Sequence, residues 1–338
     1  ISLLINTSGL FNTAIWNRSL HSNTTGFFNT ANGYRSLEFN TTGNWNTANG
    51  LDTLRFNVTG YGNTANGIQA LYSNVTGNNN TANWMYALNN TNENNNTANG
   101  YSSLHYNSWG SNHTSLGAFS AYQIIATGWI QPNTAIGYQA LFGGSATPSL
   151  NTTYDNVAIW YKALYGTTWT PSTGYQNVAV GNGALSMNTS WNQNTAIWTN
   201  TLDSNTIGQM NVAVWNSPLS SNISGNSNHA IGNLALYNNI SGNSNHAIGN
   251  SALYNNISGD SNISLGVSSL GSNVTGSNHI AIWHQVANRI VATGWTQPNT
   301  AIGYQALYGW SGTASTNTAY DNVAIWYQAL YGTSIYWI

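Results

Sequence analysis

The chain has 338 residues and a net charge of −2, and only 4% of its residues are charged, against roughly 25% in an ordinary soluble protein. Its few cations are scattered singly, which excludes the basic patch that nucleic-acid binding needs. The absence of cysteine excludes disulfides and thiolate metal sites, and no apolar stretch approaches the roughly 20 residues of a membrane span. We therefore expect no nucleic-acid partner and no membrane insertion in this segment.

A tandem repeat organises the whole chain. With the Asn of an N-T-A motif as position 0, most copies follow a 17-residue spacing, and eighteen copies begin at 12, 29, 46, 63, 80, 96, 113, 133, 156, 177, 194, 211, 228, 245, 262, 279, 299 and 322. The spacing widens after 113 and again after 133, and the same two steps recur after 279 and 299. We expect one repeat array, a fragment of a longer protein, with two super-repeats at about 12–176 and 177–338.

The columns of the repeat predict its core. Position 2 is Ala in sixteen copies and Ser in two, position 8 is Leu in sixteen and Ala in two, and a turn of the type N-[TVI]-[ST]-G begins at position 11. So short a unit buries a core only against its neighbours, and Gly, Asn and Thr disfavour helix. We therefore predict an all-β parallel β-solenoid of about eighteen 17-residue coils. The repeat core is represented by Ala135, Gly137, Leu141, Ala301, Gly303 and Leu307.

One motif resembles a known family. The sequence N-T-A-I-G-Y-Q-A-L at 133–141 and 299–307, with N-T-T-G turns as at 40–43, is similar to the head repeats of YadA-like trimeric autotransporter adhesins, and similar repeats occur in phage tail fibres. The resemblance covers nearly the whole chain, from 12 to 330, although this coil is longer than is usual in that family. It implies a left-handed β-roll wound from three copies of the chain, and therefore a homotrimer.

The same resemblance implies a function. A cell-surface, extracellular adhesin head or stalk would attach to a host cell, a neighbouring cell or matrix through a protein or glycan receptor. The main alternative is the shaft of a phage or virus tail fibre, carried on a virion tail. A further alternative is a structural extracellular filament without a receptor.

Position 4 has an unusual distribution. It is Gly in eleven copies and Trp in the other seven, with no Ala, Ser or other aromatic residue: Trp16, Trp84, Trp160, Trp198, Trp215, Trp283 and Trp326. Trp310 likewise matches Gly144 of the other super-repeat. A site without room for a side chain tolerates Ala better than the much larger Trp, because added volume in a packed site lowers stability by about 1–3 kcal/mol. We hypothesise that the codon at each of these positions is UGA, which the source organism translates as glycine. The alternative is that the tryptophans are real and form a column of outward-facing indoles.

Catalytic and metal sites are weakly supported. The seven acidic residues form no recognisable acid–base pair by spacing, and neither a P-loop nor a zinc spacing is present. We therefore predict no enzyme and no cofactor. His229 and His246 share position 1 in adjacent coils and are weak candidates for a metal site, although a solvent-facing column explains them as well. Thr recurs at position 1, as in the flat threonine ladders that bind ice, and ice binding is therefore a minor alternative. Val157 and Ile280 interrupt this column.

Two further features concern the surface. N-x-[ST] sequons recur at one turn column, where the same residues also suit the turn; eight of them begin at Asn23, Asn40, Asn57, Asn74, Asn222, Asn239, Asn256 and Asn273. Insertions lengthen the coils at 122–132, 142–155, 165–176, 288–298 and 308–321. Insertions in solenoids form loops that often bind ligands or partner proteins. Tyrosine suits such recognition, so the candidate binding residues are the tyrosines of the insertions: Tyr154, Tyr165, Tyr175, Tyr308 and Tyr320. Bends or spacers without a ligand are the alternative.

Overall fold

The protein folds into a stack of coils with one short strand each. The computed structural model describes residues 5–108, 110–124, 132–143, 153–166, 173–189, 192–288, 298–308 and 321–331. These ranges contain eighteen strands of three residues and no helix, so they hold no helix that would span a bilayer. Contacts divide the chain into unit 1, Ile1–Gln176, and unit 2, Asn177–Ile338, at the predicted boundary between super-repeats.

Within each unit, successive strands pair in parallel. Equivalent residues lie opposite each other, as Ala48 does to Ala65, and the predicted parallel β-solenoid is thereby confirmed. The strands of unit 1 are β1 (Thr13–Ile15), β2 (Thr30–Asn32), β3 (Thr47–Asn49), β4 (Thr64–Asn66), β5 (Thr81–Asn83), β6 (Thr97–Asn99), β7 (Thr114–Leu116), β8 (Thr134–Ile136) and β9 (Val157–Ile159). Those of unit 2 are β10 (Val178–Val180), β11 (Thr195–Ile197), β12 (Val212–Val214), β13 (His229–Ile231), β14 (His246–Ile248), β15 (Ile263–Leu265), β16 (Ile280–Ile282), β17 (Thr300–Ile302) and β18 (Val323–Ile325).

The alternation of each strand decides which residues face the core. In β4, Ala65 is fully buried between the partly exposed Thr64 and Asn66, as the two-residue period of a strand requires. Leu71, at position 8 of the same coil, is also fully buried. Four of the predicted core residues behave alike: Ala135, Leu141, Ala301 and Leu307 are at most 2% exposed. Gly137 and Gly303 are only partly buried, because position 4 lies in the turn that follows the strand. Ala at position 2 and Leu at position 8 therefore form the apolar interior.

Two columns of buried asparagine join the coils. At position 0, Asn29 Nδ2 donates to Gly43 O in its own coil (2.8 Å), and Asn29 Oδ1 accepts the backbone N–H of Asn46 in the next coil (3.0 Å). At position 11, Asn40 Nδ2 donates to Gly43 O (3.0 Å) and to Asn23 Oδ1 in the preceding coil (2.8 Å). The turn carbonyl of Gly43 thus accepts from both columns, as those of Gly60 and Gly242 do. Neutral hydrogen bonds take the place that ion pairs hold in a more charged protein.

The turn after each strand uses left-handed backbone. In the coil that begins at Asn245, φ is +136° at Gly249, +54° at Ser251 and +52° at Leu253. Such a conformation costs roughly 1–2 kcal/mol per non-glycine residue. Hydrogen bonds to the next coil, such as Leu253 N–H to Ser269 O (2.9 Å), offset this cost. The stacking of coils therefore imposes the turn, which the local sequence does not favour.

Candidate functional site

The outward face of the sheet is polar in the first part of unit 1. Strands β2–β6 present Thr from position 1 and Asn from position 3. Asn49 Nδ2 donates to Asn66 Oδ1, and Asn66 Nδ2 donates to Asn83 Oδ1, both at 2.8 Å. The side-chain amides thus form a ladder on the surface. This part of the face offers neutral hydrogen-bonding groups and no charge.

The corresponding face of unit 2 is apolar. Position 3 is aliphatic in all nine of its strands, and we call this row the aliphatic face: Val180, Ile197, Val214, Ile231, Ile248, Leu265, Ile282, Ile302 and Ile325. Ile231 and Ile248 lie opposite each other in register and are 41% and 45% exposed. The other members of the row are partly or largely exposed, so the row forms an apolar strip on the surface, a feature typical of interaction surfaces.

The two candidate metal ligands lie on the same side of the sheet. The rings of His229 and His246 are edge to face, with centroids 4.7 Å apart. Burial, and secondarily the neighbouring His246, lower the pKa of His229. In the part of the chain that is described, no group of three His, Cys, Asp or Glu side chains is arranged to hold a metal ion. The structure brings the two imidazoles together without adding a third ligand from those residues.

Position 4 lies against the backbone of the next coil. A Cβ atom placed on Gly33 would lie 2.2 Å from Gly50 O, and one placed on Gly249 would lie 2.6 Å from the carbonyl carbon of Gly266. The eleven glycines at this position have φ between +120° and +155°, including +127° at Gly137. Both the close approach and the left-handed backbone require glycine.

The tryptophans at position 4 are strained in this environment. Their φ angles run from +84° to +118°, and their side chains are 60–78% exposed: Trp16, Trp84, Trp160, Trp198, Trp215, Trp283 and Trp326. For a bulky residue such a φ is an outlier, at a cost of roughly 1–3 kcal/mol each. Trp310 lies outside the described residues. Trp45 differs, because at position 16 it has φ +54°, as do Phe28 (+55°) and Ser227 (+56°), so that column accepts ordinary residues.

The candidate binding tyrosines form stacks with aromatic neighbours one coil away. Tyr154 with Tyr175, Phe142 with Tyr165, and Tyr308 with Tyr331 have ring centroids 4.6, 5.2 and 5.4 Å apart. Tyr320 and most of the inserted segments lie outside the described residues. Where it is described, this surface consists of aromatic columns that follow the coil spacing.

The sequon asparagines are the members of the buried asparagine column at position 11. All eight are at most 1% exposed: Asn23, Asn40, Asn57, Asn74, Asn222, Asn239, Asn256 and Asn273. Asn239 Nδ2, for example, donates to Asn222 Oδ1 (2.8 Å) and to Gly242 O (3.0 Å). An N-glycan is attached to this same nitrogen, so the folded coil has no room for one.

We accordingly expect no glycan at Asn239 in folded protein produced by a glycosylating host. Asn17, which begins the sequon Asn17-Arg18-Ser19 at an exposed position, is the matched control and can accept a glycan. Peptide mass spectrometry of the protease-resistant, folded fraction measures both sites. A glycosylated Asn239 in that fraction would contradict the buried asparagine column.

The sequence analysis missed an ion-pair network in the first three coils. Glu38 pairs with Arg18 Nη2 and Arg55 Nε, both at 2.7 Å, and Arg35 Nε pairs with Asp52 Oδ1 at 2.7 Å. The Glu38 side chain is fully buried. The signal was available, because Glu38 and Arg55, like Arg35 and Asp52, lie one coil apart in the sequence. The network fixes the stacking of these coils in a chain otherwise poor in charge.

Comparison of the chain with models of protein families, with curated proteins and with solved structures finds no match.

Proposed function

We propose that the chain is a segment of an extracellular attachment protein, a cell-surface adhesin head or stalk assembled from three copies of the chain. The observation that supports this best is the aliphatic face of unit 2. In a single chain it leaves Ile231, Ile248 and their neighbours in water. Burial of apolar area contributes roughly 25 cal/mol per Å², so covering this row favours association.

A second copy of the chain suits the aliphatic face in spacing as well as in chemistry. The face repeats once per coil, as Ile231 and Ile248 do on adjacent strands. An identical face has the same spacing and therefore meets it along its whole length. The resemblance to YadA-like repeats supports three copies, arranged around a common axis as in that family.

The buried asparagine columns suit an exposed extracellular location. Exposed ion pairs weaken as salt rises, whereas hydrogen bonds between neutral amides, such as Asn40 Nδ2 to Asn23 Oδ1, carry no net charge to screen. Coils joined only by such amide bonds are therefore insensitive to salt, and these bonds contain no group that titrates.

Self-association through the aliphatic face is directly testable. The double variant Ile231→Lys and Ile248→Lys places two charges on the face, and we expect it to sediment as a single chain while the unmodified protein sediments as a trimer. The matched control is Ile240→Lys and Ile257→Lys, because these isoleucines of the same coils are also about 40% exposed but lie at the turn, at position 12. If the control variant dissociates the trimer and the variant at Ile231 and Ile248 does not, the interface lies at the turn.

Where the protein is displayed separates the three functional alternatives. Antibodies to the folded protein, applied to intact cells of the source organism, should label the cell surface. Labelling of virus particles would instead support the tail-fibre shaft. Labelling confined to extracellular matrix, with no binding of the purified protein to cells, would support a structural filament. Any receptor would be a protein or glycan bound by the inserted segments.

We also propose that the position-4 tryptophans are glycine in the native protein, through UGA codons translated as glycine. The support is the strain of these residues and the overlap that a Cβ atom makes at the neighbouring glycines. Four of these tryptophans directly follow residues of the aliphatic face, so glycine would remove four exposed indoles beside that face: Trp198, Trp215, Trp283 and Trp326. Mass spectrometry of peptides from the native source measures the residue directly: a glycine mass at 160 and 326 is expected, and tryptophan masses there would overturn the proposal.

A further inference from the structure

We infer that His113 and His279 are acid-sensitive latches that hold their own coils against the coils beginning at Asn133 and Asn299 at neutral pH and release them in acid. The two residues are the only departures from Asn at position 0 among the eighteen coils. They occupy equivalent places in the two super-repeats, and each opens a coil whose later part is lengthened, at 122–132 and 288–298. The same replacement thus accompanies the same insertion in both units.

Each histidine takes over one of the two hydrogen bonds that asparagine makes elsewhere, the one accepted from the next coil, and its Nε2 has no partner among the described residues. In an ordinary coil, Asn245 Oδ1 accepts the backbone N–H of Asn262 at 3.0 Å. At the two exceptions, His113 Nδ1 accepts the backbone N–H of Asn133 at 2.9 Å, and His279 Nδ1 accepts that of Asn299 at 3.1 Å. An imidazole accepts only through an unprotonated nitrogen. Both rings are therefore neutral, with the proton on Nε2.

Protonation removes this acceptor. An imidazolium donates through both nitrogens, so Nδ1–H would face the backbone N–H of the next coil. An amide oxygen does not titrate in this way, which is why the asparagine coils lack the response. The acid form of the histidine coils loses one hydrogen bond between coils and sets two donors against each other.

The surroundings of both rings oppose a positive charge. His113 and His279 are each 1% exposed, and burial lowers the pKa of both to about 4. No charged or titratable side chain in the described part of the chain contributes to either shift. Each ring accepts from a backbone amide, that of Asn133 at His113 and that of Asn299 at His279. The backbone N–H groups of the two histidines donate to neutral side-chain amides, Asn96 Oδ1 and Asn262 Oδ1.

The direction of the pH effect follows from these values. The unfolded histidine has a pKa near 6.5 and the buried one about 4, so the opened coil takes up protons first as the pH falls. The closed form is fully favoured above about pH 6.5 and loses stability between about pH 6.5 and 4. At pH 5 the ratio of closed to open coil falls about 30-fold per histidine, from the two pKa values.

Amide hydrogen exchange tests the latch in the intact chain. After correction for intrinsic rates, we expect peptides that cover 133–136 and 299–302 to lose protection about 20-fold between pH 7 and pH 5, since a small part of the roughly 30-fold effect is already present at pH 7. A peptide that covers 262–265, in a coil that follows an asparagine, serves as the internal reference and should keep its protection. Equal loss in all three peptides, or loss in none of them, would overturn the inference.

The variant His113→Asn restores the residue of the other coils and should act on one unit only. It is expected to keep protection at 133–136 at pH 5 while 299–302 still loses it, and His279→Asn should do the reverse. Loss of protection at 133–136 in His113→Asn equal to that in the unmodified protein would contradict the assignment. His229→Asn, at an exposed histidine, is the negative control. If His113→Asn fails to fold at pH 7, as judged by circular dichroism, the comparison of peptides in the unmodified chain still decides.

Discussion

Changing Trp283 to glycine is expected to stabilise the protein by about 1–2 kcal/mol. This tryptophan has φ +118°, the largest of the seven at position 4, and its side chain is 62% exposed. Glycine relieves roughly 1–3 kcal/mol of backbone strain and loses up to about 1 kcal/mol through its greater freedom in the unfolded chain. The gains should add for tryptophans on well-separated coils, whereas Trp198 and Trp215, whose rings stack with centroids 6.3 Å apart, lie close enough to couple.

Urea unfolding measures the change, with Trp45→Gly as the control. Trp45 has φ +54°, which ordinary residues share in its column, so glycine there should be neutral or slightly destabilising. If Trp283→Gly destabilises the protein as much as Trp45→Gly does, position 4 is not under strain. Such a result would also remove the main physical support for UGA recoding.

Changing Asn245 to alanine is expected to destabilise the protein by about 2–4 kcal/mol. Its Oδ1 accepts the backbone N–H of Asn262 at 3.0 Å, and its Nδ2 donates to Gly259 O at 2.7 Å. Gly259 O keeps a second donor, Asn256 Nδ2, but the buried N–H of Asn262 is left without a partner. An orphaned buried donor costs roughly 1–3 kcal/mol, and the lost side-chain packing adds to this.

The control for Asn245 lies five residues along the same coil. Asn250 is exposed, and Asn250→Ala should change the free energy of unfolding by no more than about 0.5 kcal/mol. Chemical denaturation of both variants measures the difference. Similar effects of the two substitutions would mean that burial in the asparagine column adds nothing, and that the coils are held by the sheet and the Ala and Leu interior alone.

The solenoid was predictable because its strongest signals are strictly periodic. Ala at position 2 and Leu at position 8 recur at one spacing, and that spacing gives parallel strands with equivalent residues opposite each other, as with Ala48 and Ala65. The requirement for glycine at position 4 was also visible, since Trp is the sole alternative there. Periodicity carries this information without any knowledge of the turn geometry.

Other features depend on contacts between coils that composition does not specify. The left-handed backbone at Leu253, with φ +52°, follows from its bond to the next coil, because leucine itself favours the right-handed region. The sequence analysis assigned position 11 to the turn but did not predict that the side chain of Asn239 would be buried between two coils. Burial of Glu38 between arginines of the coils on either side needed a three-dimensional register. The sequence placed His229 and His246 side by side, but the described residues supply no third ligand.

The matched register of the coils has a consequence for the evolution of length. Most adjacent coils of 17 residues meet through the same groups, such as Thr47 opposite Thr64 and Asn29 bonded to Asn46, so removal or duplication of such a coil leaves the strand and asparagine ladders aligned. Unequal crossing-over between repeats of the gene changes length in this increment, as a multiple of 51 bases for a 17-residue coil. Coils of 20 and 23 residues also keep their strands in register, as Ser115 opposite Ala135 and Ala135 opposite Ala158 show, so selection acts on where in the coil a length change falls more severely than on its size.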